Sequence, residues 1–374
     1  MNARFEEGLN AMREGRMLIM VDDADRENEG DLVVAAQHVT EVQLAFMARQ
    51  ARGLVCLALD HDLCDRMSLE PMAAVNTAPL GTAFTFSIDA REGVCDGISA
   101  RDRVTTIRKA MEPGATRADF MSPGHVFPLR AVPGGSLVRA GQTEGSVDLA
   151  RLVGLLPGAV ICEILREDGS MMRTKELLEF GERHHMPMIA VADVIAHRLQ
   201  TEQLLHEVAQ ADLPTDFGPF RVHAFQSTLD DRAHLALVLG DVSSGEPTLV
   251  RVHRANFPGD TFTFSDGRGR ADVESALRKI ADEGRGIFLY LNREETGSDL
   301  LESLALSSRE GDPASVVSRA VRNESRMNFR DFGIGAQILR HLGVNRLRVL
   351  TDHPMRLSGL AGFGIEVETY LPLS

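Results

Sequence analysis

The chain has 374 residues, 44 % of them hydrophobic and 25 % charged, with a formal net charge of −14. Those proportions are ordinary for a soluble globular protein; the acidic balance excludes a nucleic-acid-binding face, and the length predicts two domains. Four cysteines (Cys56, Cys64, Cys95 and Cys162) make no disulfide framework, the opening "MNARFEEGLNAMREGRM" lacks the apolar core of a signal peptide, and no stretch has the length of a membrane span, so a reduced cytoplasmic location is expected.

In chain order, "MLIMV" (17–21) predicts a short strand. It runs into "DDADRENEGD" (22–31), which places six carboxylates in ten positions. Arg26, Asn28 and Gly30 interrupt the run, which suggests a shaped loop rather than a charged tail. Carboxylates this close raise one another's pKa unless water solvates them or a hard cation neutralises them, and magnesium is the cation that suits oxygen ligands and phosphorylated substrates. "TEVQLAFMARQAR" (40–52) opens with a T-x-x-Q capping box and predicts a helix stopped by Gly53, followed by a buried strand "LVCLAL". "TAFTFSI" (82–88) predicts another strand, and Ser99 with Asp102 caps a helix whose Val104, Ile107 and Met111 share one face.

"SPGHVFPLRAVPGGSLVRAGQTEGSVDLAR" (122–151) sets His125 between two Pro-Gly turns, the setting of a rigid functional loop. Arg139, Gly141 and Thr143 precede a helix whose free amides suit a phosphate, although Thr143 as a plain N-cap explains the same residue. Glu163 sits inside the apolar strand "AVICEI", where an unpaired carboxylate costs several kcal/mol, so it is expected to be hydrogen-bonded, liganded or catalytic. A helix over 173–185 and "MIAVADVIAHRL" complete a βα pattern, giving an α+β (mixed α/β) chain with a central sheet.

Near 200–220 the prolines and glycines of "HEVAQADLPTDFGPFRVHAF" predict a domain boundary. Strands "LALVLG" and "TLVRVHRANF", helix "ADVESALRKIADEG" and strand "GIFLYL" follow, then a loop-like acidic tract from 294, helix "DFGIGAQILRHLG" and strand "RLRVL". His184 and His185 have no ligand spacing and read as helix-end residues.

Eight ordered blocks, among them "DDADRENEGDLVVAA", "TAFTFSIDAREGV", "PGHVFPLRA", "GGSLVRAGQTE" and "VDLARLVGLLPGAVICEI", resemble 3,4-dihydroxy-2-butanone 4-phosphate synthase across residues 5–205. The resemblance implies an α+β homodimer, dependent on Mg2+ or Mn2+, that converts D-ribulose 5-phosphate to 3,4-dihydroxy-2-butanone 4-phosphate and formate in riboflavin biosynthesis. By position it implies Glu27 as a metal ligand, and Arg26, Glu27, Asp31, Arg139, Thr143 and Cys56 as substrate contacts. His125 and Glu163 fall on its proton-transfer groups. Two places depart from the pattern. The family's R-x-G-H-T is "RAGQT" here, so that Gln142 replaces the histidine that is the second metal ligand, and "GVTTGIS" is "GVCDGIS", with Cys95 and Asp96 for two threonines. A glutamine oxygen can ligate magnesium but cannot exchange a proton near neutral pH, and Asp96 would repel a phosphate if it faced the site.

From about residue 215 the chain resembles GTP cyclohydrolase II, through "RVHRANFPGDTF", "GIFLYLNREETG", "RDFGIGAQILRHLGV" and "RLRVLTDHP". That family binds zinc through three cysteines, whose places hold Asn256, Gly267 and Gly269, and Thr296 stands in place of an arginine implicated in catalysis. Asparagine and two glycines cannot form a tetrahedral zinc site, so no zinc is expected in the second half. The expected division is a synthase-like domain at 1–205 and a cyclohydrolase-like domain at 206–374 that is structural or regulatory. The partner implied is a small sugar phosphate, with no nucleic acid and no membrane. The alternatives are a divergent paralogue acting on a related sugar phosphate, motivated by Gln142, Cys95 and Asp96, and a non-catalytic protein that binds a nucleotide or an enzyme partner.

Overall fold

The structure is a computed structural model that describes residues 3–23, 26–78, 80–229, 232–255, 257–262, 268–292, 329–352 and 363–373. The acidic tract from 294 and the positions Asn256, Gly267 and Thr296 lie outside the described residues. The chain divides into two compact units, Met1–His197 and Arg198–Ser374.

The first unit is a mixed seven-stranded sheet. Its strands are β1 (Leu18–Val21), β2 (Gly30–Ala35), β3 (Cys56–Leu59), β4 (Ile88–Ala90), β5 (Phe120–Arg130), β6 (Gly158–Glu163) and β7 (Met188–Ala190), in the order β4-β5-β3-β6-β2-β1-β7. The continuous apolar runs of the central strands β2, β3 and β6 are buried along almost their whole length. Among the described residues six α-helices accompany the sheet up to residue 184: α1 (Ala3–Arg13), α2 (Glu41–Phe46), α3 (His61–Arg66), α4 (Ala100–Ala110), α5 (Gln142–Leu152) and α6 (Thr174–His184). One core joins sheet and helices, with Leu32, Val34, Leu57, Ile107, Phe120, Val160 and Phe180 among its buried members.

Local signals explain most boundaries. Thr40 and Gln43 form the reciprocal cap of α2, which then widens into a π turn over Met47–Ala51. The left-handed residue that closes it is Arg52 (φ 66°), not Gly53. Gly53 is needed for another reason: a Cβ there would lie 2.3 Å from Glu163 O and 2.7 Å from its Oε2. Ser99 caps α4 by accepting from Asp102 N. The expected strand at 82–88 is reduced to isolated bridges of Phe84 to Leu129 and Thr85 to Pro71, and a strand forms only at Ile88–Ala90. The neighbouring β5 carries Pro128, which has no N–H to donate to a ladder. Thr143 does not cap α5; Gly141 is the N-cap and makes no side-chain cap bond.

The second unit is also a seven-stranded sheet. It holds β8 (Leu205–Thr215), β9 (Gly218–Ser227), β10 (Ala233–Leu239), β11 (Thr248–Arg254), β12 (Gly286–Leu291), β13 (Arg346–Leu350) and β14 (Glu366–Leu371), in the order β14-β13-β11-β12-β10-β9-β8. The segment read as boundary punctuation is the hairpin β8–β9: Pro214 and Pro219 face each other beside the turn, on strands where the edge tolerates missing donors. Helices Arg268–Glu283 and Phe329–His341 connect the parallel strands, and Phe220, Leu249, Ile280 and Phe288 centre the core. Among the described residues no helix is long and apolar enough to cross a membrane.

Candidate active site

The acidic loop is organised around Asp22, whose side chain is fully buried. Asp22 accepts from Glu27 N (3.0 Å) and Glu29 N (2.9 Å), and Arg26 Nη1 donates to its Oδ2 at 2.8 Å. The same Nη1 reaches Glu27 Oε1 at 2.5 Å and Gln142 Oε1 at 3.1 Å. Arg173 donates to the carbonyls of Glu27 (2.8 Å) and Asn28 (2.5 Å), closing the loop from outside. Much of the acidic charge therefore folds the loop around its own arginine. Asp23 is exposed, whereas Glu29 is partly buried and its carboxyl is raised by burial first and by Glu27 next. Asp25 lies outside the described residues.

Where the loop enters β2, Asp31 pairs with Glu163 across the antiparallel β2–β6 ladder. Asp31 is 5 % exposed, and its carboxyl is pushed well above the ordinary range, by burial first and then by Glu163, Glu27, Glu29 and Asp22. Glu163 Oε2 accepts from Leu54 N at 2.9 Å, so the strand-borne glutamate is hydrogen-bonded as its setting demands. Cys56, on β3, pairs with Ile161, two residues before Glu163. Burial, then Glu163 and Asp31, push its thiol up, which makes Cys56 an apolar neighbour of the two carboxyls rather than a nucleophile.

Helix α5 brings in the third group. Arg139 Nη1 donates to the buried Glu144 Oε2 at 2.6 Å, and its other nitrogens reach Leu80 O and Thr82 Oγ1. Burial raises Glu144 while Arg139 opposes the shift. A Cβ at Gly141 would lie 2.6 Å from Arg139 Nη1, 3.0 Å from Arg26 Nη2 and 3.0 Å from Glu144 Oε2, so both arginines converge on this glycine. Thr143 is buried in the first turn of α5.

His125 stands apart from these contacts on β5, two residues before Phe127, the register partner of Cys56. Its Nδ1 lies 2.7 Å from Asp89 Oδ2, and its N–H donates to Asp89 Oδ1 at 2.9 Å. The backbone bond holds the buried Asp89 carboxylate in place and its contact with Nδ1 orients the ring, which leaves Nε2 for chemistry. Gly97 packs directly on the pair, since a Cβ there would lie 2.3 Å from Asp89 Oδ2. The turn that carries Gly97 is held by Asp102 Oδ2, which accepts the N–H groups of Cys95, Asp96 and Gly97 at 2.8–3.0 Å. Asp96 turns its Oδ1 to Ser99 N at 2.9 Å.

Residues 6–197 match the family described as 3,4-dihydroxy-2-butanone 4-phosphate synthase, and residues 206–372 match GTP cyclohydrolase II. A riboflavin biosynthesis protein RibBA of Aquifex aeolicus is 45 % identical over 98 % of this chain and 91 % of its own length. The chain belongs to the 3,4-dihydroxy-2-butanone 4-phosphate synthase family. It is a lyase of riboflavin biosynthesis whose second region is of the GTP cyclohydrolase II type. A second RibBA, from Bacillus cereus ATCC 10987, is 43 % identical over 99 % of this chain and 93 % of its own length. The crystal structure of RibBX from A. baumannii, a two-domain 3,4-dihydroxy-2-butanone 4-phosphate synthase, is 37 % identical with a TM-score of 0.82 and covers 99 % of each chain. A synthase structure in complex with two magnesium ions is 39 % identical with a TM-score of 0.52, over 54 % of this chain and 98 % of that one.

Sequence reasoning missed Asp22, Asp89 and Glu144. Asp22 was within the acidic run, but nothing local distinguishes the acid that folds a loop from those that line it. Asp89 and Glu144 act on partners 36 and 5 residues away, the first through strand pairing alone. In the second unit, Gly269 leaves no room for a side chain: a Cβ there would lie 2.5 Å from Gly259 C and 2.7 Å from Gly259 O. His253 Nε2 lies 2.9 Å from Asp260 Oδ1 and Tyr290 donates to Asp260 Oδ2 at 3.0 Å, a polar cluster near the ends of the parallel strands β11 and β12.

Proposed function

We propose that the first region converts D-ribulose 5-phosphate to 3,4-dihydroxy-2-butanone 4-phosphate and formate, and that the second is not an active GTP cyclohydrolase. The observation that carries the first statement is the pairing of the buried Asp31 with Glu163, with Glu27 near enough to raise the Asp31 carboxyl and His125 oriented by Asp89 on the same sheet. The reaction requires protons to be moved on adjacent carbons and negative enediolate charge to be held.

The residues divide that work. Asp31, whose carboxyl is raised by burial and by its acidic neighbours, is the group placed to pass a proton to a substrate oxygen. Glu163, fixed by Leu54 N, is the neighbouring acid–base group, and His125 acts through Nε2. Arg139, just before α5, and Thr143, in its first turn, face the phosphate end, and Arg26 neutralises the loop acids. Glu27 and Gln142 are the metal-holding residues: their oxygens meet on a single cationic nitrogen, and a carboxylate with an amide carbonyl is a donor set that suits magnesium or manganese. Bound there, the cation supplies Lewis-acid stabilisation of enediolate charge. The full site belongs to a homodimer of cytoplasmic protein, with residues 1–205 as the catalytic region and 206–374 as the companion region.

For the second region, the crowding at Gly269 supports the loss of zinc: a cysteine placed there requires the Gly259 backbone to move. The similar A. baumannii protein is described as a two-domain synthase, which agrees with this reading. The test of both statements is formate release. With ribulose 5-phosphate and magnesium, the protein is expected to release formate and a Glu27→Ala variant is not; with GTP and added zinc, neither is. No formate from ribulose 5-phosphate above the variant sinks the first statement, and formate from GTP sinks the second.

A divergent substrate is the second reading, and Gln142 favours it. Asp96 does not, because its carboxylate is turned toward Ser99 N. A Gln142→His variant that keeps wild-type rate and product would remove that support.

A further inference from the structure

We propose that Arg26 is an intrinsic cation that occupies the Glu27–Gln142 oxygen pair in the resting protein, and that a divalent ion enters by displacing it. This rests on the assignment of Glu27 and Gln142 as metal-holding residues. The geometry is specific: one nitrogen, Arg26 Nη1, contacts Asp22 Oδ2 at 2.8 Å, Glu27 Oε1 at 2.5 Å and Gln142 Oε1 at 3.1 Å. Nη1 carries two hydrogens, so three acceptors share them. The Arg26 side chain is 17 % exposed and that of Asp22 fully buried, so these contacts are largely shielded from solvent.

Charge explains why a cation must be there. Asp22 and Glu27 bring two negative charges to one nitrogen, and the guanidinium cancels one of them. The remaining charge attracts a dication, but a dication on Glu27 and Gln142 stands where the guanidinium stands and repels it. The two cations are alternatives. Gln142 strengthens the arginine-bound state, because its amide oxygen accepts from Arg26 at every pH, whereas an imidazole in that place repels the guanidinium once protonated. Displacement has a second consequence: Arg26, released with all its donors, becomes available to an anionic group on the substrate side. Metal entry and arginine release are one event, driven by competition for the same oxygens.

The test is Mn2+ binding to full-length protein without substrate, followed by the paramagnetic resonance signal of free Mn2+, for wild type, Arg26→Ala, Arg26→Gln and Arg173→Ala. If the arginine-out state is populated at about one part in ten or less, removing the competitor tightens Mn2+ binding about tenfold or more. Arg26→Ala and Arg26→Gln are both expected to show this gain. Arg173→Ala removes a positive charge that borders the same loop from outside, without touching the three oxygens, and is expected to show none. Equal affinity in wild type and both Arg26 variants overturns the proposal, as does a comparable gain in Arg173→Ala, which marks plain charge removal. Formate release by wild type separates the two levels: activity with no change in Mn2+ affinity refutes the displacement and leaves the site assignment standing. Absence of Mn2+ binding in every protein refutes both.

Discussion

Replacing Asp31 by asparagine is expected to stabilise the first unit while removing its activity, by an amount that depends on pH. Asp31 is 5 % exposed and faces Glu163, with Glu27, Glu29 and Asp22 near enough to raise its carboxyl further. In the unfolded chain its pKa is about 3.9, and in the folded chain it is well above that. Between those two values the native state binds the proton and the unfolded state has released it, so the stability Asp31 contributes is complete below about pH 4 and is lost as pH rises toward the folded pKa. The slope of that loss is at most about 1.4 kcal/mol per pH unit for one proton. Asparagine keeps the shape, carries no ionisation and escapes the loss. In calorimetric melts with chelator present, the advantage of Asp31→Asn over wild type is expected to be smallest near pH 4 and to grow toward neutrality. The growth is roughly 3–6 °C per pH unit at most for a unit of this size, flattening once Asp31 ionises in the native state. Chelator matters because a cation on the loop lowers the cost of the charged form. A difference that stays constant from pH 4.5 to 7.5, or an asparagine variant less stable than wild type at pH 7, would refute the argument that burial and like charge raise the Asp31 carboxyl.

The other predictions concern the supports of the site. Asp89→Asn removes the carboxylate that holds His125 Nδ1 at 2.7 Å and is expected to lower kcat by about 10²-fold with KM little changed, in steady-state formate assays; an unchanged kcat would separate Asp89 from catalysis. Gly53→Ala forces a methyl against the Glu163 backbone and carboxylate and is expected to cost about 1–3 kcal/mol of stability together with most of the activity, read by melting and turnover. Native protein is expected to react with a thiol reagent at one cysteine per chain, Cys95, and at all four after denaturation. Cys56, Cys64 and Cys162 are buried, and burial pushes their thiols up, that of Cys64 to about 12.

The sequence by itself determined the family, the order of most strands and helices, and the chemical character of the site. Those signals are local. The capping pair Thr40–Gln43, the continuous apolar runs of β3 and β6, and the acidic run at 22–31 each report on a few neighbouring residues, and the order of whole motifs carries the family. The sequence also marked Glu163 as a carboxylate that had to be satisfied. It did not say by what, because Leu54 N comes from a turn 109 residues earlier. Other details depended on contacts brought together only by folding. The expected strand at 82–88 became isolated bridges because its neighbour β5 carries Pro128. The requirement for glycine at position 53 comes from Glu163 across the sheet rather than from the helix it follows. Asp31 is a raised, buried acid because β2 and β6 pair in one register, and a slip of one residue would turn it away from Glu163. Arg26, Glu27 and Gln142 share a single nitrogen position although 116 residues separate the arginine from the glutamine. Composition and spacing supplied the groups, but distance, burial and shared acceptors exist only once the chain has closed on itself.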